Sequence, residues 1–220
     1  RDVLAARTSS SPMSEGIILA SASPRRADPL RLLGVPFRAV TVSVDETGLP
    51  GESPWLSARR LAVSKLSAAR RTDGCDLLLA ADTVVDLDGT ALGKPESAED
   101  AFRMLSELRG RWHEVHTAVA AAREGTVAVS VCTTRVLMRR YSDPEVWSYV
   151  ASGSPFDKAG AYAIQDPCFR PVERWSGSYT NVVGLPVRTV ARKLEGFGLS
   201  VQLPPDGPGT TAISCRALGE

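Results

Sequence analysis

The sequence predicts a single mixed α/β domain, and three observations carry that prediction. Apolar runs of strand length alternate with segments of helical periodicity from Ile17 to about Leu199. No internal repeat and no linker-like stretch divides them. The 220 residues, 43% hydrophobic and 23% charged, have the composition of an ordinary globular chain, long enough to bury a core without disulfides or structural metal.

Each element follows from local signals. Ile17 to Ala20 reads as a short apolar strand. Pro24 opens a helix with Leu30, Leu32 and Leu33 as its apolar positions, and Gly34 stops it. Phe37 to Val44 reads as a strand, and Ser53-Pro54 caps a long helix carrying Leu56, Leu61, Leu66 and Ala69 on one face. Leu77 to Ala81 is a buried-strand run, followed by an Asp88-Gly89 hairpin signal between Val84–Leu87 and Thr90–Leu92. Ser97 starts a helix through Ala101, Met104, Leu105 and Leu108, ended by Gly110. Two strands, Val115 to Ala122 and Val127 to Leu137, turn at Glu124-Gly125. Asp143-Pro144 begins a short helix to about Val150; a Gly-rich segment, a strand near Val172 and a last helix after Pro186 complete the domain.

Outside the domain, 16–200, two extensions are expected to be disordered. Residues 1–15 are polar and Ser-rich with no apolar h-region, which argues against a secretory signal. Met13 is a candidate start, and the arginines and serines only weakly suggest a transit peptide. Residues 201–220 are rich in turn formers. The net charge of +1 provides no global field for nucleic acid or an anionic membrane, and no apolar run approaches the roughly 18 residues of a membrane span. Cys75, Cys132, Cys168 and Cys215 are scattered without a C-x-x-C pair, so reduced thiols are expected and a zinc site is not.

Three groups of charged residues stand at the junctions of these elements. Ser21, Ser23, Arg25 and Arg26 occupy a strand-to-helix turn, where basic side chains oppose the helix dipole unless an anion is present. Backbone N–H groups and two guanidinium forks at that turn would cradle phosphate; alone, the same residues read as a solvated surface pair. Asp82 ends an apolar run, where an unpaired carboxylate is costly unless it faces a cleft, a metal or a cation, although it could equally begin a turn. Asp45 and Glu46 follow another strand, and carboxylates from separate strand ends suit Mg²⁺ shared with substrate phosphates. Lys65, Lys94 in "GKP" and Lys158 in "DKAGAY" form the third group; lone lysines are usually solvated, but the last two lie in Gly-flanked turns where side chains converge. His113 and His116, three apart in "HEVHTAV", point to opposite strand faces, are poor joint metal ligands and read as structural.

Taken in order, "LASASPRRADPLRLLG", "VDET", "ADTVV…GKP", "AFRMLSELRGRWHEVHTAV", "DKAGAYAIQ" and "GSYTNVVGLP" resemble the motifs of the Maf family of nucleotide pyrophosphatases, over about Ile17 to Leu199. The resemblance implies an inosine-triphosphatase-like fold, with a central sheet and two lobes around a cleft. It implies cytoplasmic hydrolysis of a nucleoside triphosphate to the monophosphate and pyrophosphate with a divalent cation, Mg²⁺ or Mn²⁺, and a homodimer at the level of the family. Asp82 matches the family's proton acceptor, and Glu46 and Asp82 are the expected metal ligands. Arg25, Thr83 and Gln165 match positions tied to substrate choice, and Arg26, Glu46, Lys65 and Lys94 match polar site residues. The set Ser21, Ser23, Arg25, Arg26, Lys65, Lys94 and Lys158 is then the phosphate-binding group.

S-P-R-R, A-D-T and A-Y-x-I-Q resemble the dTTP/UTP subfamily; the subfamily acting on 7-methyl-GTP typically replaces Arg25, Thr83 and Gln165. One departure is "DPCF" after Gln165, where Asp166-Pro167 adds a charge and fixes φ beside the expected base pocket. A nucleotide-sensing regulator of septum formation that does not cleave its ligand is the alternative from another class.

Overall fold

The computed structural model describes residues 16–70, 77–203 and 215–216. Eight strands form one mixed sheet among these residues: β1 (Ile17–Ala20), β2 (Phe37–Val40), β3 (Leu77–Leu87), β4 (Thr90–Leu92), β5 (Trp112–Arg123), β6 (Thr126–Met138), β7 (Val172–Ser176) and β8 (Cys215–Arg216). The order is β2-β1-β3-β5-β6-β7, with β4 paired to β3 and β8 to β6. β1 runs parallel to both β2 and β3, and the remaining pairs are antiparallel. The helices are α1 (Pro24–Arg31), α2 (Pro54–Arg70), α3 (Ala98–Leu108), α4 (Asp143–Ala151), α5 (Tyr179–Val183) and α6 (Val187–Gly196). The expected extension over 1–15 lies outside the described residues, as does most of the tail, within which Cys215–Arg216 pairs with β6.

Three strands of eleven to thirteen residues, β3, β5 and β6, run through two lobes. In the first lobe, one face packs Leu19, Leu79 and Val119 against Leu30, Leu33, Val190 and Leu194 of and beside α1 and α6. The other face is built of small residues. Ala80, Ala118, Ala120 and Ala122 meet Ala58, Ala62 and Ala69 of α2, so the helix lies close to the sheet. In the second lobe, Val85, Val115, Val136 and Met138 lie under Leu105, Leu108, Val146 and Val150, with Phe169 stacked on Tyr149. The cleft is the seam where one set of helices ends and the next begins.

Both hairpin signals are realised as tight turns whose two central residues have positive φ: Asp88 and Gly89 between β3 and β4, and Glu124 and Gly125 between β5 and β6. That conformation matches the twist of antiparallel strands. Ser97 caps α3 through the Asp100 N–H, and Ser53 Oγ accepts the Leu56 N–H at the start of α2.

Four expectations change. Asp82 does not end a strand: the run 77–81 and the hairpin arm 84–87 are one continuous β3, because β5 pairs with it throughout. β2 stops at Val40 rather than Val44, since its partner β1 ends at Ala20. Leu32 and Leu56 are 55% and 47% exposed rather than core, because Leu30 and Leu33 carry the buried side of α1 and Ala58, Leu61 and Ala62 that of α2. The Gly-rich segment also holds α5, too short to stand out in sequence.

His113 is buried on the second-lobe face, with Nε2 2.7 Å from the Tyr162 hydroxyl. Burial pushes its pKa down from 6.5 to about 4. Below about pH 6.5 the unfolded chain takes up a proton that the folded chain refuses, so stability is full above that pH and falls toward pH 4. The loss is about 3 kcal/mol from this group. Denaturant unfolding at pH 7 and pH 4 should therefore show a gap between wild type and His113→Gln that narrows by that amount on acidification. An equal acid loss in both proteins would assign it to other groups.

Candidate active site

The seam between the lobes holds a cleft of about 710 Å³. Ser21, Ser23, Arg25 and Arg26 reach it from the β1–α1 turn, and Glu46 from the loop after β2. Lys65 comes from α2, Asp82 and Thr83 from the middle of β3, and Lys94, Lys158 and Gln165 from three loops. All of these residues thus line one cavity, and of the residues singled out in the sequence for phosphate or metal Asp45 is the exception. Asp45, the neighbour of Glu46, does not line it. Its carboxylate instead faces Thr47, whose side chain and then whose N–H, donating to Oδ1, lower its pKa.

Asp82 is 5% exposed and sits at the centre. Alternation along β3 turns it toward α2 together with Ala80 and Val84. On α2 the stripe Ala58, Ala62, Lys65, Ala69 runs at i+4, i+3, i+4, so a lysine interrupts an otherwise apolar face. Lys65 Nζ contacts Asp82 Oδ1 and lies 2.6 Å from Glu46 Oε1. Arg26 Nη2 is 3.8 Å from the same Asp82 oxygen.

Burial raises the Asp82 pKa, against the opposing effect of Lys65 and Arg26. Burial also acts upward on Glu46, but there the Lys65 hydrogen bond and charge, with Lys94 and Arg26, outweigh it and the pKa is lowered. One buried carboxylate is therefore held toward its protonated form beside one held firmly ionised.

The charged residues lining the cleft are Arg25, Arg26, Lys65, Lys94 and Lys158 against Glu46, Asp82 and Asp157, a surplus of two positive charges (5 − 3). The chain as a whole carries +1. Positive charge is thus concentrated here, as binding of a polyanion requires.

The backbone contributes less to this cradle than the turn suggested. The Ser23 N–H is taken by Ser21 Oγ, and the Arg26 N–H by the Ser23 carbonyl. Arg26 Nη1 also donates to Ser21 Oγ at 3.2 Å.

Asp157 was not anticipated from the sequence. It accepts Arg25 Nη1 on one carboxylate oxygen and Lys158 Nζ on the other, while its carbonyl accepts Arg25 Nη2 at 2.8 Å. The two rim loops are joined by the Gly160 N–H donating to the Gly93 carbonyl at 2.9 Å. Gly160 has φ +67°, and a Cβ there would lie 3.1 Å from the Val85 methyls, so this crossing admits only glycine without strain.

A buried polar relay also escaped sequence reasoning. Thr83 Oγ1 lies 2.9 Å from Thr117 Oγ1, which donates to the Asn181 carbonyl. The Asn181 side-chain amide donates to the Val115 carbonyl at 2.9 Å and to Thr134 Oγ1 at 3.0 Å. Ser178 Oγ accepts the Asn181 N–H and fixes α5 over the sheet. The polar residues inside "GSYTNVVGLP", between two strongly periodic elements, were the available signal. Replacing Asn181 by Ala leaves the Val115 carbonyl and Thr134 with a lost donor in a buried site, and should destabilise the fold by about 1–3 kcal/mol. Equilibrium urea unfolding checks this; a loss below about 0.5 kcal/mol would remove the relay from the structure's support.

Similarity to known proteins agrees with this geometry. The sequence profile described as "Maf-like protein" matches residues 16–197. A protein of Thermomicrobium roseum named dTTP/UTP pyrophosphatase is 53% identical over 192 residues, covering 86% of this chain and 87% of the relative. Relatives of the same name from Citrifermentans bemidjiense and Dictyoglomus thermophilum are 45% and 42% identical, covering 84% and 86% of this chain and 97% and 100% of their own. With a charged cleft between two lobes and a profile match across nearly all of the described domain, the chain belongs to the Maf family of Maf-like proteins.

Proposed function

We propose that this chain is a cytoplasmic pyrophosphatase that hydrolyses dTTP and UTP to the monophosphate and pyrophosphate with the help of a divalent cation. The observation that supports it most directly is Asp82, a buried carboxylate amid a surplus of positive charge. The shared name of the relatives supports the reaction and the choice of base.

In this reading the triphosphate enters among Arg25, Arg26, Lys94 and Lys158, with Ser21 and Ser23 beside them. The α–β anhydride is brought toward Asp82. Both cation contacts to Asp82 fall on Oδ1, so Oδ2 is the oxygen offered to water. As the water oxygen bonds to phosphorus its proton passes to Asp82, the anhydride bond breaks, and pyrophosphate leaves among the arginines and lysines. The raised pKa of Asp82 makes it a better base than an exposed aspartate.

Glu46 and Asp82 are the residues that would hold the divalent cation. Their oxygens already share one cationic group, Lys65 Nζ, and a pair of carboxylates suits a hard, oxygen-seeking ion. When bound, such an ion neutralises charge on the phosphates and lowers the pKa of coordinated water. No helix among the described residues is long and apolar enough to cross a membrane.

Asp82→Asn should retain the fold and lose about 10²–10⁴-fold in turnover, measured as pyrophosphate release with Mg²⁺. In the wild type kcat/KM should fall on the acid side as Asp82 is protonated, because the base must be deprotonated to take the proton from water. Near-wild-type turnover in a folded Asp82→Asn protein would take Asp82 out of the mechanism.

Base choice falls to Thr83 and Gln165, which line the same cleft. A glutamine amide offers one donor face and one acceptor face, the complement of the imide edge of thymine and uracil. A mismatched base leaves such groups unpaired, which is how polar sites discriminate strongly. A nucleotide panel should rank dTTP and UTP above dCTP, dATP and GTP, and Gln165→Glu should erode the ranking. Preferential cleavage of 7-methyl-GTP would overturn the base assignment and leave the reaction class standing.

A further inference from the structure

The sheet face that carries Asp82 continues beyond α2 and presents a second set of donors. The β3–β5 register sets Asp86 opposite Glu114 and Val84 opposite His116, so Asp86, Glu114 and His116 share one face. His116 Nε2 lies 3.2 Å from Asp86 Oδ2 and 3.7 Å from Glu114 Oε2. Ligands held tetrahedrally at about 2.0–2.2 Å from a zinc-type ion are themselves about 3.4 Å apart. The three donor atoms all lie within 4.8 Å of one another, so small side-chain rotations close the set.

The donors are also oriented from behind. The His116 side chain is 4% exposed, and its Nδ1 sits 2.8 Å from Thr133 Oγ1, which fixes the ring plane. Asp86 Oδ1 accepts the Gly89 N–H at 2.7 Å, leaving Oδ2 to face the imidazole. Asp86 and Glu114, though not His116, form part of the wall of a separate cavity of about 250 Å³, so water can reach the two carboxylates. Arg135, the cross-strand neighbour of Glu114, has its guanidinium over the Trp112 ring, 4.9 Å from the centroid.

We propose that Asp86, Glu114 and His116 bind a transition-metal dication of the zinc type. Asp86 is four residues along β3 from Asp82, about 13 Å at strand rise, so this site is separate from the cation at Glu46 and Asp82. A buried imidazole nitrogen favours zinc-type ions over Mg²⁺ and Ca²⁺, which take oxygen ligands. With an ion on Nε2 the ring proton sits on Nδ1, which is placed to donate to Thr133 Oγ1. The bound ion ties β3 to β5, the two strands that carry its ligands.

The test uses the full chain in an Asp82→Asn background, so that binding in the cleft and binding here separate, with Zn²⁺ and Co²⁺ as probes. Zn²⁺ should shift the His116 Nε2 resonance in ¹⁵N spectra, and Co²⁺ should develop visible ligand-field bands. Glu114→Gln, at a half-exposed position that leaves the fold intact, should weaken binding at least tenfold, and Thr133→Val about 10–100-fold. Equal Zn²⁺ affinity in Glu114→Gln and its parent, or a His116 resonance unmoved at saturating Zn²⁺, would overturn the proposal. Neither result bears on nucleotide hydrolysis, which is read separately from pyrophosphate release by the Asp82-containing enzyme.

Discussion

A carboxylate buried in the middle of a strand is expensive, and most of this cleft can be understood as the arrangement that makes Asp82 tolerable. Removing an ion from water costs several kcal/mol even after relaxation, and the cost is recovered only by well-placed countercharge. Lys65 supplies that charge from α2, which can approach because both the helix stripe and the sheet beneath it are alanine-rich. Lys65 in turn draws in Glu46 from the loop after β2, and Arg26 closes on the same Asp82 oxygen from α1. Four separate segments therefore meet at one side chain. Because the cations outnumber the anions they serve, the compensation of Asp82 also leaves a surplus for phosphate.

The length of β3, β5 and β6 is what permits this meeting to occur in mid-strand. Strands of five or six residues would end at the edge of the first lobe, and Asp82 would hang from a loop. Here the same backbone ladder runs beneath both lobes, so Asp82 and Thr83 are held by hydrogen bonds on either side of the seam. Asp82 sits on a rigid strand and the rims are loops, an arrangement suited to fixed chemistry and adjustable recognition.

Much of this was legible in the sequence for specific reasons. Asp88-Gly89 and Glu124-Gly125 announced their hairpins because few residues accept positive φ twice in succession. The misplaced arginine pair at a helix start and the carboxylate inside an apolar run were local contradictions, and both resolve in the cleft. What stayed hidden depends on partners distant in sequence. Leu32 and Leu56 have core chemistry, and only helix packing turns them outward. Nothing local in the sequence marks out Asp157; the fold brings Arg25 to it across 132 residues. The spacing of His113 and His116 correctly separates them to opposite faces, but spacing along one strand says nothing of Asp86 on its neighbour. The Asn181 relay links four elements and has no periodicity of its own.

The ion pairs of Asp157 make entry to the cleft an exchange of anions. Arg25 and Lys158 already have a carboxylate partner, so on the proposed function a phosphate held by both side chains would compete with Asp157. Arg25 and Asp157 are 27% and 64% exposed in their side chains, and ion pairs this open are typically worth only about 0–1 kcal/mol. A single carboxylate-sized charge thus gains almost nothing by replacing Asp157, whereas a ligand bringing several charges on a short chain gains at every additional contact. On the proposed function the rim would count charge before the base is read, and once the polyanion is cut and departs Asp157 would be the tethered counterion that takes its place.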